Sequence, residues 1–180
     1  MEQTTPANFN KFAIPMRMGL MIALLKVILS TIGYKFFAGS WGMSVLFMVI
    51  GLTAGIILFI QTGKMQRKEL GGYIDIKQAF QAIFVAALIA VVLSSLYDYI
   101  YVRFLDPGMT ERIREATMAT MEKWGAPQEK IDEVEKTMDS GESLKLSKQF
   151  MGLLTAIIFN GILSFICAAV VKKNRPEHTA

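Results

Sequence analysis

Three polar residues interrupt long apolar stretches of this chain: Lys26, Asp98 and Asn160. A charge near the centre of a bilayer costs on the order of 2.5–3.5 kcal/mol by insertion scales, so it must be paired, hydrated or neutral. We expect Lys26 to form a hydrogen bond with Asp98 or Asn160. Three interpretations remain open at this stage: a structural polar lock, a path for a proton, an ion or a solute, and a lysine that simply extends toward the membrane surface.

Catalytic chemistry has little support in the sequence. His178, the one histidine, lies in the C-terminal tail, so neither a histidine-assisted nucleophile nor a histidine-rich metal site can form within the apolar stretches. Cys167, the one cysteine, is interpreted as a small buried apolar side chain. Gly71-Gly72 has the character of a turn and lacks the spacing of a phosphate loop. We therefore expect no enzyme activity and no catalytic, cofactor-binding or metal-binding residue.

The composition favours a protein solvated by lipid. Of the 180 residues, 53% are hydrophobic and only 19% are charged, and the mean hydropathy is +0.40. The charges cluster in a few segments and leave apolar runs between them, as in a membrane-embedded bundle. The net charge of +4 comes from basic residues that flank these runs. This placement excludes nucleic acid as a partner, because no basic patch with interleaved aromatic residues is formed.

Four segments are long and apolar enough to cross a bilayer, at about residues 14–37, 42–61, 78–102 and 150–171. Backbone groups inside lipid must be paired, so such runs form helices unless they close a barrel, and the alternation typical of a barrel strand is missing. The sequence therefore predicts an all-α polytopic membrane protein with four transmembrane helices in a single domain, residues 1–180.

Residues 103–148, between the third and fourth spans, are predicted to form an extramembrane amphipathic helical hairpin. Gly125-Ala126-Pro127 separates its two helices, and Ser140-Gly141 ends the second. Apolar residues recur at helical spacing in both: Met109, Ile113, Ala116, Met121 and Trp124, then Ile131, Val134 and Met138. Each stripe is too narrow to form a core alone, so we expect the membrane, the ends of the spans or another chain to cover it.

Small residues recur every four positions in spans two, three and four, which is typical of faces where helices approach closely in lipid. The candidate packing residues are Gly51, Gly55, Ala82, Ala86, Ala90, Ser94, Gly152, Ala156 and Ser164. We interpret them as sites of helix–helix contact inside the bundle. The alternative is that they form the contact face of a homodimer.

Basic residues suggest the orientation. They are divided equally between the two sides, but on one side they are concentrated in short segments: the N-terminus, the loop around Arg67, and the tail with Arg175. Short basic segments favour the cytoplasm, so we expect both termini there.

The loop between spans two and three carries the sequence QRKELGGYIDIKQAF at residues 66–80. Together with four spans, a short first connection and a long charged connection before the last span, this loop resembles that of the Domain of Unknown Function 4199 family, small inner-membrane proteins of Gram-negative bacteria. The resemblance implies the four-helix fold and a bacterial inner-membrane location. It implies no functional residue, because the family has no assigned activity.

The sequence favours a non-enzymatic helical scaffold, or a module that binds a partner or oligomerises. Its partners would be the lipid bilayer and either a second copy or another membrane protein. The alternative is a small transporter or channel subunit that uses Lys26, Asp98 and Asn160 as an intramembrane polar path. The two functions differ in one observable property, because a path needs water to reach Lys26.

Overall fold

The computed structural model describes residues 10–37, 40–139 and 146–174 of the chain. Its helices, in chain order, are α1 (Ala13–Phe37), α2 (Trp41–Glu69), α3 (Ile76–Ile100), α4 (Met109–Lys123), α5 (Gln128–Asp139) and α6 (Leu146–Val171). A π-helical turn, Tyr101–Leu105, continues α3. The predicted break at Ser140-Gly141 and the tail residues Arg175 and His178 lie outside the described residues.

Within the described ranges, four helical segments are long and apolar enough to cross a membrane: Ala13–Phe37, Trp41–Glu69, Ile76–Leu105 and Ser147–Val171. The predicted all-α membrane fold is confirmed at this level. The helices are longer than the predicted spans, most clearly α2, which ends at Glu69 instead of Gln61. Its extra turns form because no proline interrupts residues 62–69, and because Thr62 and Gln66 are buried there against neighbouring helices.

Helix α3 is the centre of the bundle and packs mainly against α1 and α6. Its buried face is built from small residues, including Ala79, Ala86 and Ala90, which let neighbouring backbones approach closely. The contact with α1 is especially close at Gly19. A Cβ atom at that position would lie 2.9 Å from both the Ala86 carbonyl oxygen and the Ile89 Cβ.

The end of the bundle that carries the α2–α3 loop is closed by backbone contacts. Gly71 and Gly72 adopt positive φ angles of 79° and 92°, which allow the chain to turn, and a capping box of Asp75 and Gln78 starts α3. Ile74 pairs with Lys173 in an isolated antiparallel bridge. The last turn of α6 therefore lies beside this loop.

At the opposite end of the bundle, α4 lies against the beginning of α2. The rings of Trp41 and Trp124 meet edge to face with centroids 4.8 Å apart. Arg114 joins α4 to α5 through an ion pair with Glu135 at 2.8 Å. The two helices occupy the predicted segment, but their position outside the bilayer stays a prediction.

Candidate functional site

A half-open cavity of about 700 Å³ lies between α1, α2, α4 and α6, and Ala90 of α3 contributes to its wall. Most of the lining is aliphatic or aromatic. The polar lining side chains are Lys26, Ser30, Tyr34, Ser44, Thr117 and Asn160. Pockets of this size and character, with a few polar groups in an apolar wall, are typical of small-molecule sites.

Three glycines explain why this space is open. Gly33 of α1 and Gly51 and Gly55 of α2 all line the cavity. A Cβ atom added at Gly33 or Gly55 would meet no atom within 4 Å, and one at Gly51 would meet only Leu29 Cδ1, at 3.9 Å. Gly51 and Gly55 thus border the cavity, and Gly51 comes near another helix of this chain only at Leu29 of α1. Their packing against a second chain stays a prediction.

The other predicted packing residues occupy different environments. Those of α3 are buried, and so is Ser164 of α6, whereas Ala156 is half-buried and Gly152 is exposed. The buried residues of α3 are Ala82, Ala86, Ala90 and Ser94. At Gly152 an added Cβ would meet nothing within 4 Å. The small residues of α3 therefore lie where it contacts other helices. Gly152 of α6, in contrast, faces the outside of the bundle.

Lys26 is half-buried in α1, and its side chain lines the cavity. Among the contacts of the described residues, Lys26 has neither an ion pair within 4.0 Å nor a hydrogen bond, so the expected direct bond to Asp98 or Asn160 is not formed. Asp98 does act on Lys26 electrostatically at longer range. The ammonium group is therefore left to interact with whatever occupies the cavity.

Asp98 belongs to a polar contact between α1 and α3. Its carboxylate interacts with the side chains of Tyr34 and Ser30, while its Oδ1 atom is buried without a hydrogen-bond partner. Thr31 follows Ser30 and Tyr97 precedes Asp98, and the hydroxyl groups of Thr31 and Tyr97 form a hydrogen bond at 2.5 Å. The structure thus groups Asp98 with Tyr34, which sequence reasoning missed. The signal was the line of Lys26, Ser30 and Tyr34 at four-residue spacing on one helix face.

Asn160 of α6 lines the same cavity as Lys26. Its amide nitrogen donates a hydrogen bond of 2.8 Å to the Ala156 carbonyl in its own helix. The structure therefore brings Lys26 and Asn160 to one cavity, whereas Asp98 lies outside the lining, engaged with α1. Intrahelical bonding of this kind satisfies an amide without a partner helix.

Among the described residues, three ion pairs involve charged residues of α4. Hydrogen bonds from the Arg114 guanidinium hold the pKa of the exposed Glu111 carboxyl below its usual value. The Asp106 carboxylate, which forms an ion pair with Arg112, raises the pKa of that guanidinium. Within the described ranges, no group of three or more His, Cys, Asp or Glu side chains could bind a metal ion.

The fold and the cavity define a class of protein: a helical membrane protein with four candidate spans, three of which pack around the central α3, and an apolar cavity lined by one lysine among the described residues. Residues 17–173 match the family described as "Protein of unknown function (DUF4199)", and the chain belongs to that family. The expected family resemblance is confirmed. Comparison with curated proteins and with solved structures gave no match.

Proposed function

We propose that this protein is a non-enzymatic membrane module that binds a partner, and that the partner is an apolar molecule taken from the bilayer. The cavity is the observation that supports this function. Its volume of about 700 Å³ lies within the usual range of ligand sites, roughly 300–1,000 Å³. Its lining is mainly hydrocarbon. A lipid-soluble molecule would therefore make more dispersion contacts with this wall than it makes with fluid lipid tails.

Helix α4 supports the same proposal, because it covers part of the cavity. Met109, Ile113 and Ala116, which belong to its apolar stripe, contribute to the lining. Met109 is only 3% exposed. A short amphipathic helix that is held over an apolar cavity keeps its stripe out of water and limits access from that end.

Photolabelling tests this function directly. The protein is reconstituted in a bilayer with a neutral probe, hexadecanol that carries a diazirine, and the labelled residues are mapped by mass spectrometry. We expect adducts to concentrate on lining residues that are shielded from the outer surface, such as Leu29 and Phe59. Labels spread evenly over the exposed apolar residues of α1 and α6 would overturn the proposal.

A matched pair of variants controls the labelling. Gly55→Phe adds an aromatic ring at a lining position where an added Cβ meets no atom within 4 Å, so it should suppress the adducts while leaving the fold intact. Gly42→Phe adds the same side chain at an exposed position of the same helix outside the lining, where an added Cβ also meets nothing within 4 Å. It should leave the labelling unchanged.

We propose a small transporter or channel subunit as the second candidate, because Lys26 and Asn160 both line the cavity. A path requires water at this depth from both sides of the membrane. Ser30→Cys, in a Cys167→Ala background, reports on this access through a small water-soluble thiol reagent applied to either side. Reaction from both sides supports a path, and no reaction from either side contradicts it.

We further propose that the module self-associates through the outer face of α6. Gly152 is exposed there and Ala156 lies one turn away, so a second copy could approach this face closely. Gly152→Cys in the Cys167→Ala background should form disulfide-linked dimers in the membrane. Equal yields of dimer from a cysteine at exposed Ile28 of α1 would contradict this face.

We propose a bacterial inner-membrane location with both termini in the cytoplasm. Arg67 donates a hydrogen bond of 3.0 Å to the Val171 carbonyl, so the basic loop and the end of α6 share one side of the bundle. Cysteine labelling with an impermeant reagent tests the orientation. A thiol at Lys68 should react only from the cytoplasmic side and one at Glu122 only from outside, and the reverse pattern would invert the topology.

A further inference from the structure

The cavity extends along α1. It borders this helix from Ile22 to Tyr34, which spans about 18 Å at 1.5 Å per residue. A space of this length, with a volume of about 700 Å³, accommodates the hydrocarbon chain of one molecule that lies along the helix.

The wall determines what kind of chain fits. Leu25, Leu29 and Ile56 line the cavity together with Phe159, and the glycines 33, 51 and 55 leave room beside them. Such a wall offers dispersion contacts along most of its length and few hydrogen-bonding groups. The occupant is therefore mainly hydrocarbon.

Lys26 is the one charged side chain among the described residues that line the cavity. It has no ion pair there, and the Asp98 carboxylate that acts on it at longer range interacts with Tyr34 and Ser30. A cation in the cavity would be repelled by the ammonium group. An anionic group beside Lys26 would instead receive a charge-assisted hydrogen bond, and Ser30 supplies a hydroxyl one turn away on the same lining.

Resting on the proposed binding function, we propose that the ligand of this cavity is a single-chain amphiphile with a carboxylate headgroup. The carboxylate binds the Lys26 ammonium, and the hydrocarbon chain lies in the space beside the three glycines. This ligand satisfies the charge that the protein leaves without an ion pair, and it fills the apolar part of the cavity. A lysine at this depth then has a binding role that outweighs its insertion cost.

Two photoreactive probes of equal chain length separate this inference from the function on which it rests. One is a diazirine-bearing hexadecanoate and the other is the matching alcohol. We expect the carboxylate to label the lining residues with about tenfold higher apparent affinity than the alcohol, as one hydrogen bond to a charged group predicts. Equal affinity of the two probes would overturn the carboxylate and leave the binding function standing. Labelling of the lining by neither probe would overturn both.

Variants of lysine assign the headgroup contact. Lys26→Met should lose the preference for the carboxylate and keep labelling by the alcohol, which also shows that the protein is folded. Lys26→Arg should retain the preference. Lys35→Met, a change on the same helix at an exposed position outside the lining, should behave as the unchanged protein. A carboxylate preference that persists in Lys26→Met would overturn the inference.

Discussion

Trp41, the first residue of α2, and Trp124, at the C-cap of α4, pack edge to face with 4.8 Å between their ring centroids. Trp41 also lines the cavity. The contact therefore fixes α4 at the end of the cavity where its apolar residues contribute to the wall. An aromatic pair of this geometry contributes about 0.5–1.5 kcal/mol beyond the area that it buries.

Replacement of Trp124 should loosen α4. We expect Trp124→Ala to accelerate hydrogen exchange of the α4 amides, because the helix then retains few contacts with α2. Trp41→Ala should have the same effect. Phe104→Ala, a change at a residue that is 70% exposed, serves as the control. Unchanged exchange in both tryptophan variants would show that the ring contact does not hold α4.

Gly19 should be intolerant of even one added carbon. A Cβ in Gly19→Ala would lie 2.9 Å from the Ala86 carbonyl oxygen, a backbone atom that cannot move aside without separating α1 from α3. We expect a loss of about 1–3 kcal/mol in the free energy of unfolding, measured by denaturation in detergent. Gly33→Ala is the matched control on the same helix. It meets no atom within 4 Å and should be neutral or stabilising. Equal losses in the two variants would contradict the close contact.

Lys26 and Asp98 should be energetically coupled, although no direct bond joins them. Lys26→Met should insert and fold normally, because it removes a charge that has no ion pair. Asp98→Asn should be worse, because Lys26 then loses the carboxylate that acts on it. The double variant should recover part of this loss, with an interaction energy of about 0.5–1 kcal/mol from denaturation curves. Strictly additive losses would eliminate the coupling.

Acid should loosen helix α4. Arg114 bonds Glu111 one turn earlier in the same helix, and it lowers the pKa of Glu111. A carboxyl whose pKa is lower in the folded state stabilises that state above its unfolded pKa. The stabilisation is lost as pH falls through the lowered value. The mobility of a spin label on α4 should therefore increase in acid, below the ordinary range of glutamate.

Two controls accompany the acid experiment. Arg114→Met should make the spin-label mobility less sensitive to pH, and high salt should raise the mobility at neutral pH because the Glu111 pair is exposed. A helix α4 that loosens when pH is raised from neutral to mildly alkaline values would contradict the assignment to a carboxylate.

Much of the helical architecture follows from sequence, because lipid requires long uninterrupted helices and hydropathy reveals them. The extension of α2 to Glu69 could not be predicted from the sequence, because Thr62 and Gln66 are polar residues of the kind found in solvent-exposed loops. They are buried only because they pack against neighbouring helices. Gly63 shows the same close packing, since an added Cβ there would lie 3.0 Å from Val171 Cγ1. Tertiary contact of this kind leaves no local periodic signal.

The candidate site could be predicted only in part. Lys26 and Asn160 are conspicuous in sequence because they are polar within apolar runs, and both line the cavity. The contact between Asp98 and Tyr34 could not be predicted, because it depends on how α1 is rotated relative to α3. In addition, a tyrosine near a helix end is expected at the membrane interface whether or not it has a partner. The spacing of Gly51 and Gly55 predicts close approach of a helix. It cannot reveal that the space beside them is a cavity.

Native mass spectrometry of the protein with hexadecanol is the most direct test of the central claim, that the cavity binds one apolar molecule. On release from detergent, the unchanged protein should retain one bound alcohol. Gly55→Phe should retain none, while Gly42→Phe should retain one. Loss of the alcohol from all three proteins, or equal retention by the cavity-filled variant, would contradict a binding function for this cavity.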